Sequence, residues 1–144
     1  MTTDVGTRLM KIKIGTVEHT AECSRIEITS SAGDSDFVSF EDAANGGKRE
    51  YALEITAKQA TDSAALWRYV WANTGDTMAV KVNPHGNATS STDEPHYTGN
   101  VTITEPDGTL IGGEAKSSTS ARQTISVRWV FTAKPTEDTA GTAF

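Results

Sequence analysis

Cysteine is nearly absent from this sequence: Cys23 is the sole thiol among 144 residues. One thiol cannot close an internal disulfide, which fits a reducing, cytosolic setting. Basic residues are also in short supply. Thirteen Lys and Arg against nineteen Asp and Glu leave a net charge of −6, spread evenly over both halves with no charged tail. That balance argues against a protein that grips nucleic acid or an anionic membrane, because both need a basic patch. No apolar run approaches the ~18–20 residues of a membrane span, and the N-terminal segment lacks the basic and then apolar regions of a signal peptide. Histidine occurs three times, as His19, His85 and His96. The expectation is a soluble, acidic, intracellular single domain.

Hydroxyl residues, in contrast, are abundant. The chain holds 22 Thr and 12 Ser, and Thr, being β-branched, favours strands that it can cover with uncharged hydroxyls. Period-2 alternation then recurs between turn signals. Arg8–Ile14 ends at Gly15, and Glu22–Thr29 sets Ile26 and Ile28 against Arg25 and Glu27. Arg49–Lys58 sets Tyr51, Leu53, Ile55 and Ala57 against Glu50, Glu54, Thr56 and Lys58. Thr77–Asn83, His96–Glu105 and Arg122–Ala133 follow the same rule, the last with Ile125, Val127, Trp129 and Phe131 inward. Glu105-Pro106-Asp107-Gly108 is a tight-turn signature, since Pro presets φ and Gly supplies a positive φ; it predicts a short strand over Thr109–Lys116. These segments predict sheets with one apolar and one polar face.

Residues 61–74 break the alternation. Thr61 or Asp62 would cap the start of a helix, and Gly75 would stop it. Leu66, Tyr69 and Val70 form one apolar stripe, while Trp67 and Trp71 form another about 100° around. A lone helix on a sheet buries one face. The second stripe is therefore covered either by the chain's own loops or by another copy, and the interface reading assigns Leu66, Trp67 and Trp71 to the contact between copies. A long polar loop, residues 30–48, contains Phe37, Val38 and Phe40, which predicts that it docks on something. An N-terminal arm (1–8) and a C-terminal arm (134–144) flank the domain.

Catalytic patterns are missing: there is no GxSxG elbow, HExxH, paired CxxC or Walker loop. His85, Asp93, Glu94 and His96 have the residue types of a metal site, although an exposed polar loop explains them far more simply. Cys23 lies in a strand pattern and reads as a small core residue rather than a nucleophile. No nucleophile–base pair is present, so no enzyme, cofactor or metal is expected.

The order of the remaining segments is more specific. Ala60-Thr-Asp-Ser-Ala-Ala-Leu-Trp-Arg-Tyr-Val-Trp71 resembles the helix of major tail proteins from long-tailed bacteriophages. Thr77–Asn83, Pro95–Ile103, Leu110–Lys116 and Thr124–Thr132 resemble the segments that follow it in that family, and Phe37–Ala43 and Gly46–Tyr51 those before it. The resemblance covers roughly residues 20–135 in family order. It implies a mainly β sandwich or barrel with one flanking helix, assembled as hexameric rings stacked into a hollow tail tube of the virion. The implied partners are further copies of the chain, other tail proteins such as tape measure and tail terminator, and genomic DNA passing without being bound; no membrane is implied. The chain would be made in the host cytoplasm. Phe37 and Phe40 would then serve ring stacking, and Thr98, Asn100, Thr102, Thr104, Thr124 and Ser126 would line the lumen or meet outside solvent. The alternative is a non-catalytic β-sandwich binding module, for carbohydrate or for decorating a capsid.

Overall fold

The computed structural model describes residues 3–33, 37–47 and 49–144. The elements in chain order are β1 (Lys11–Ile14), β2 (Val17–Glu18), β3 (Cys23–Ala32), α1 (Phe40–Ala44), β4 (Arg49–Lys58), α2 (Leu66–Asn73), β5 (Thr77–Asn83), β6 (His96–Thr102), β7 (Thr124–Val130) and β8 (Thr136–Asp138). Strands dominate and pair antiparallel throughout, in a five-stranded sheet ordered β2-β1-β5-β6-β8 and a three-stranded sheet ordered β3-β4-β7.

Alternation dictates which side of each sheet is buried. In the three-stranded sheet Ile26, Ile55 and Val127 share one row and Ile28, Leu53 and Trp129 the next, all facing in. In the five-stranded sheet Ile12 and Ile14 of β1 and Val80 and Val82 of β5 face them. One core joins these rows to Leu66, Trp67 and Val70 of α2.

The two sheets are stitched at one corner. Past β7, Phe131 N donates to Tyr51 O at 2.8 Å, and Thr132 N donates to Asn100 O at 2.9 Å. The chain thus crosses from one sheet to the other, and Val101 and Phe131 form a bridge there. Gly99 makes this crossing possible: a Cβ at that position would lie 2.8 Å from two Phe131 ring carbons.

Several sequence-based boundaries move. The helix begins at Leu66 rather than Thr61, and its N-cap is Ala65, which offers no capping side chain. Glu22 supplies the acceptor instead, its Oε2 taking the Leu66 N–H at 3.1 Å. No strand forms over Thr109–Lys116, where Gln59 binds the backbone of Gly112 through both its amide groups. Of the expected loop over residues 30–48, β3 takes the start, α1 the middle and β4 follows at Arg49; residues 34–36 and 48 lie outside the described residues, as do residues 1–2 of the expected arm. The C-terminal arm contains β8, which pairs with β6.

Candidate assembly surfaces

Helix α2 presents its aromatic residues unequally. Gly75, at φ +95°, ends the helix in the left-handed conformation that glycine adopts without strain. Leu66 and Val70 are wholly enclosed by the protomer. Trp67 is only 6% exposed, and its Nε1 donates to Leu110 O at 2.6 Å. Trp71, one turn on, stacks on Trp67 with ring centroids 5.5 Å apart and 26° between planes, yet remains 55% exposed. The expected interface of Leu66, Trp67 and Trp71 is therefore corrected: the first two belong to the protomer's own core, and Trp71 alone of the three has surface to offer. The segment through Leu110 covers one indole and leaves the other bare. It also exposes Ile111, which the sequence pattern did not single out.

A second apolar surface precedes and opens α1. Ser39 and Asp42 form a reciprocal capping box: Ser39 Oγ accepts from Asp42 N at 3.0 Å, and Asp42 Oδ2 accepts from Ser39 N at 3.4 Å. Gly47 N donates to Asp42 O at 2.7 Å and closes the turn back toward β4. Held in this way, Val38 is 54% exposed and Phe40 98% exposed, and Phe37 is exposed beside them. Both residues expected in the stacking loop thus stand on the surface.

The expected hydroxyl lining divides between different surfaces. Thr98 and Asn100 share the outer face of the five-stranded sheet with Lys13 and Lys81. Thr124 and Ser126 lie on the outer face of the three-stranded sheet, where Ser126 Oγ and Thr56 Oγ1 are 3.1 Å apart. Thr102 is half-buried, and Thr104 is a clip at the corner: its Oγ1 donates to Arg128 O at 3.2 Å while its carbonyl accepts from Trp129 Nε1 at 3.0 Å. The six residues do not form one surface, because β6 and β7 belong to different layers.

Both outer faces are mixed in charge. That of the three-stranded sheet carries Arg25, Lys58 and Arg128 against Glu27, Glu50 and Glu54, a balanced set. Arg25 pairs with Glu27 at 2.7 Å, and Arg128 with Glu50 at 3.1 Å. The hydrogen bond from Arg25 holds the Glu27 carboxyl below its ordinary range. The outer face of the five-stranded sheet carries Lys11, Lys13 and Lys81 against Glu18, which lies across from Lys13, and Asp138, which lies across from His96. Two of these lysines hold the C-terminal segment: Lys13 Nζ donates to Phe144 O and Lys81 Nζ to Ala143 O, both at 2.9 Å.

The polar loop after β5 is structural. His96 is fully buried, its Nε2 lies 3.2 Å from Asn87 Oδ1, and the Phe144 ring meets it edge-on at 5.7 Å. Burial, reinforced by Lys81, lowers the His96 pKa below its usual 6.5, against the opposing influence of Asn87 and Asp138. Among the described residues no group of three or more His, Cys, Asp or Glu side chains is placed to hold a metal ion, so His85, Asp93, Glu94 and His96 do not converge. Burial, with the neighbouring Glu22 charge, pushes the Cys23 thiol up to about 12, which suits a packed residue and not a nucleophile. Among the described residues no helix is long and apolar enough to cross a membrane.

No known protein-family model matches this chain, and no curated protein matches it. The surfaces themselves therefore carry the functional argument. Another of them is a groove of about 480 Å³ where β3 overhangs the five-stranded sheet, lined by apolar side chains including Met10, Ile26, Ile28, Tyr51 and Val82. β3 is the end strand of its sheet, pairing only with β4 among the described strands, so one of its edges is open.

Proposed function

We propose that this chain is the structural subunit of a bacteriophage tail tube, assembling as hexameric rings that stack into a hollow conduit for genomic DNA. The observation that carries the reading is the exposed apolar surface: Trp71 on α2, and Val38 with Phe40 at the opening of α1. Contiguous apolar patches on a soluble protomer mark contact surfaces, and two unlike patches suit a heterologous assembly that propagates. The ordered resemblance over residues 20–135 supplies the class. A ring also gives the open edge of β3 a partner, removing the aggregation hazard of an unpaired strand.

The work of such a subunit is physical. A conduit must not hold the polyanion that it passes, since every phosphate neutralised by Lys or Arg adds to binding. On the strands, three acids match three bases on the outer face of the three-stranded sheet, whereas the face opposite has three lysines against two acids, so the former meets that requirement slightly better. In this reading Thr56, Thr124 and Ser126 line the lumen, and Thr98 and Asn100 do not. Tape-measure and terminator proteins would contact the assembled tube in the virion.

Negative-stain microscopy of the purified protein over a concentration series tests the proposal. Hollow stacked rings are the expected result, and monomers at every concentration would overturn it.

A further inference from the structure

We propose that the exposed tongue around Val38 and Phe40 of one copy seats in the apolar groove beneath β3 of another. The proposal rests on the reading of the chain as a self-assembling subunit and names the two surfaces that meet. Three observations select this occupant.

The first is chemical match. The groove is walled mainly by aliphatic and aromatic side chains, and the tongue places Val38 and Phe40, with Phe37 beside them, within four residues. Phe40 is 98% exposed, so almost its whole ring is available for transfer from water. The groove of the same copy is not filled by its own tongue, since no residue from 37 to 40 lines it. The capping box at Ser39 and the Gly47 closure hold the tongue in place before any partner arrives, which reduces the ordering cost of association.

The second is charge. The tongue leads into Glu41 and Asp42, and Asp34 and Asp36 precede it in sequence. The groove wall includes Lys134 and one acid, Glu27, which Arg25 already neutralises at 2.7 Å. An acid-flanked apolar segment therefore meets a rim on which Lys134 enters no ion pair among the described residues, a complementarity that favours the encounter.

The third is area. A buried Phe removes ~150–250 Å² from water, so two Phe and a Val supply roughly half of the ~800 Å² per partner of a stable interface. The tongue thus acts together with a second contact, for which the exposed Trp71 is available. Because knob and hole are different surfaces, each copy that receives a tongue still offers its own, and the contact propagates rather than closing on a pair.

Cross-linking of two variants, each with one introduced cysteine, tests the pairing. Val5 also lines the groove and is itself exposed, so neither Phe40→Cys nor Val5→Cys disturbs the core. Cys23, with its thiol pushed up to about 12, contributes little background. Mixing the two variants under mild oxidation is expected to give the mixed disulfide in excess over either homodimer. Homodimers alone, or no cross-link in material that microscopy shows to be assembled, would overturn the pairing while leaving the tube reading intact. Absence of any assembly by the wild-type chain would overturn both. In parallel, Phe40→Asp should leave the melting midpoint unchanged and raise the concentration needed for assembly about tenfold or more; an unchanged concentration would refute the tongue as a contact.

Discussion

Replacing Trp71 by Asp separates the protomer's core from its contact surface. Trp71 is 55% exposed, and a large aromatic side chain covers ~150–250 Å², so roughly 80–140 Å² remains for a neighbour. At ~25 cal/mol per Å² that area contributes about 2–3.5 kcal/mol per contact, equivalent to a rise of roughly 30–300-fold in the concentration at which assembly begins. The protomer should stay folded, losing only the stack on Trp67, worth about 0.5–1.5 kcal/mol. Trp67→Asp is the opposite case. It places a carboxylate in the core and removes the hydrogen bond to Leu110 O, so it should abolish folding, not assembly alone. Sedimentation velocity over a concentration series, with near-ultraviolet circular dichroism as the folding control, reads both variants. If Trp71→Asp assembles at the wild-type concentration, the exposed indole is not a contact and the argument from uncovered surface fails at this point.

Three further outcomes follow from the packing. Gly99→Ala forces a Cβ to 2.8 Å from the Phe131 ring and should cost about 1–3 kcal/mol in urea unfolding; Phe131→Leu in the same chain should recover part of the loss, and no loss in the single variant would refute the packing argument. His96 resists protonation in the native state while the unfolded chain accepts a proton near 6.5, so the native state is fully favoured above that pH and loses stability as pH falls below it. His96→Gln should remove this part of the pH dependence in denaturant midpoints, and an unchanged slope would assign it elsewhere. Cys23, raised to about 12, should react with iodoacetamide at pH 8 far more slowly in native protein than in urea; equal rates would contradict its placement.

Strands β4 and β5 were legible to the residue, because uninterrupted alternation over Arg49–Lys58 and Thr77–Asn83 fixes both the conformation and the buried face. β8 was not, since Thr136-Glu137-Asp138 has no apolar member and is a strand only because β6 leaves an edge for it. The start of α2 differs from the sequence expectation for a related reason: its cap, Glu22, lies 44 residues earlier, so no local signal marks Leu66. Gly108 takes the positive φ that its turn signature predicts, +113°, but the segment after it has no strand partner. In α1 the Ser39 and Asp42 spacing is a capping signal inside a segment whose polar composition predicts a loop.

Local chemistry by itself settled which residues of each strand could face inward, where glycine had to turn the chain, and that the surface would be rich in hydroxyls and short of positive charge. Those are properties of one residue and its immediate neighbours. Tertiary structure decided which of two tryptophans on one helix would be covered, which hydroxyl rows would share a face, and where an apolar groove would be left open. Trp67 and Trp71 are equally apolar and one turn apart, so periodicity cannot rank them; the segment through Leu110 covers the first and stops short of the second. Burial is set by what distant segments bring over a side chain, and that becomes determinate only when both sheets and their connections are in place.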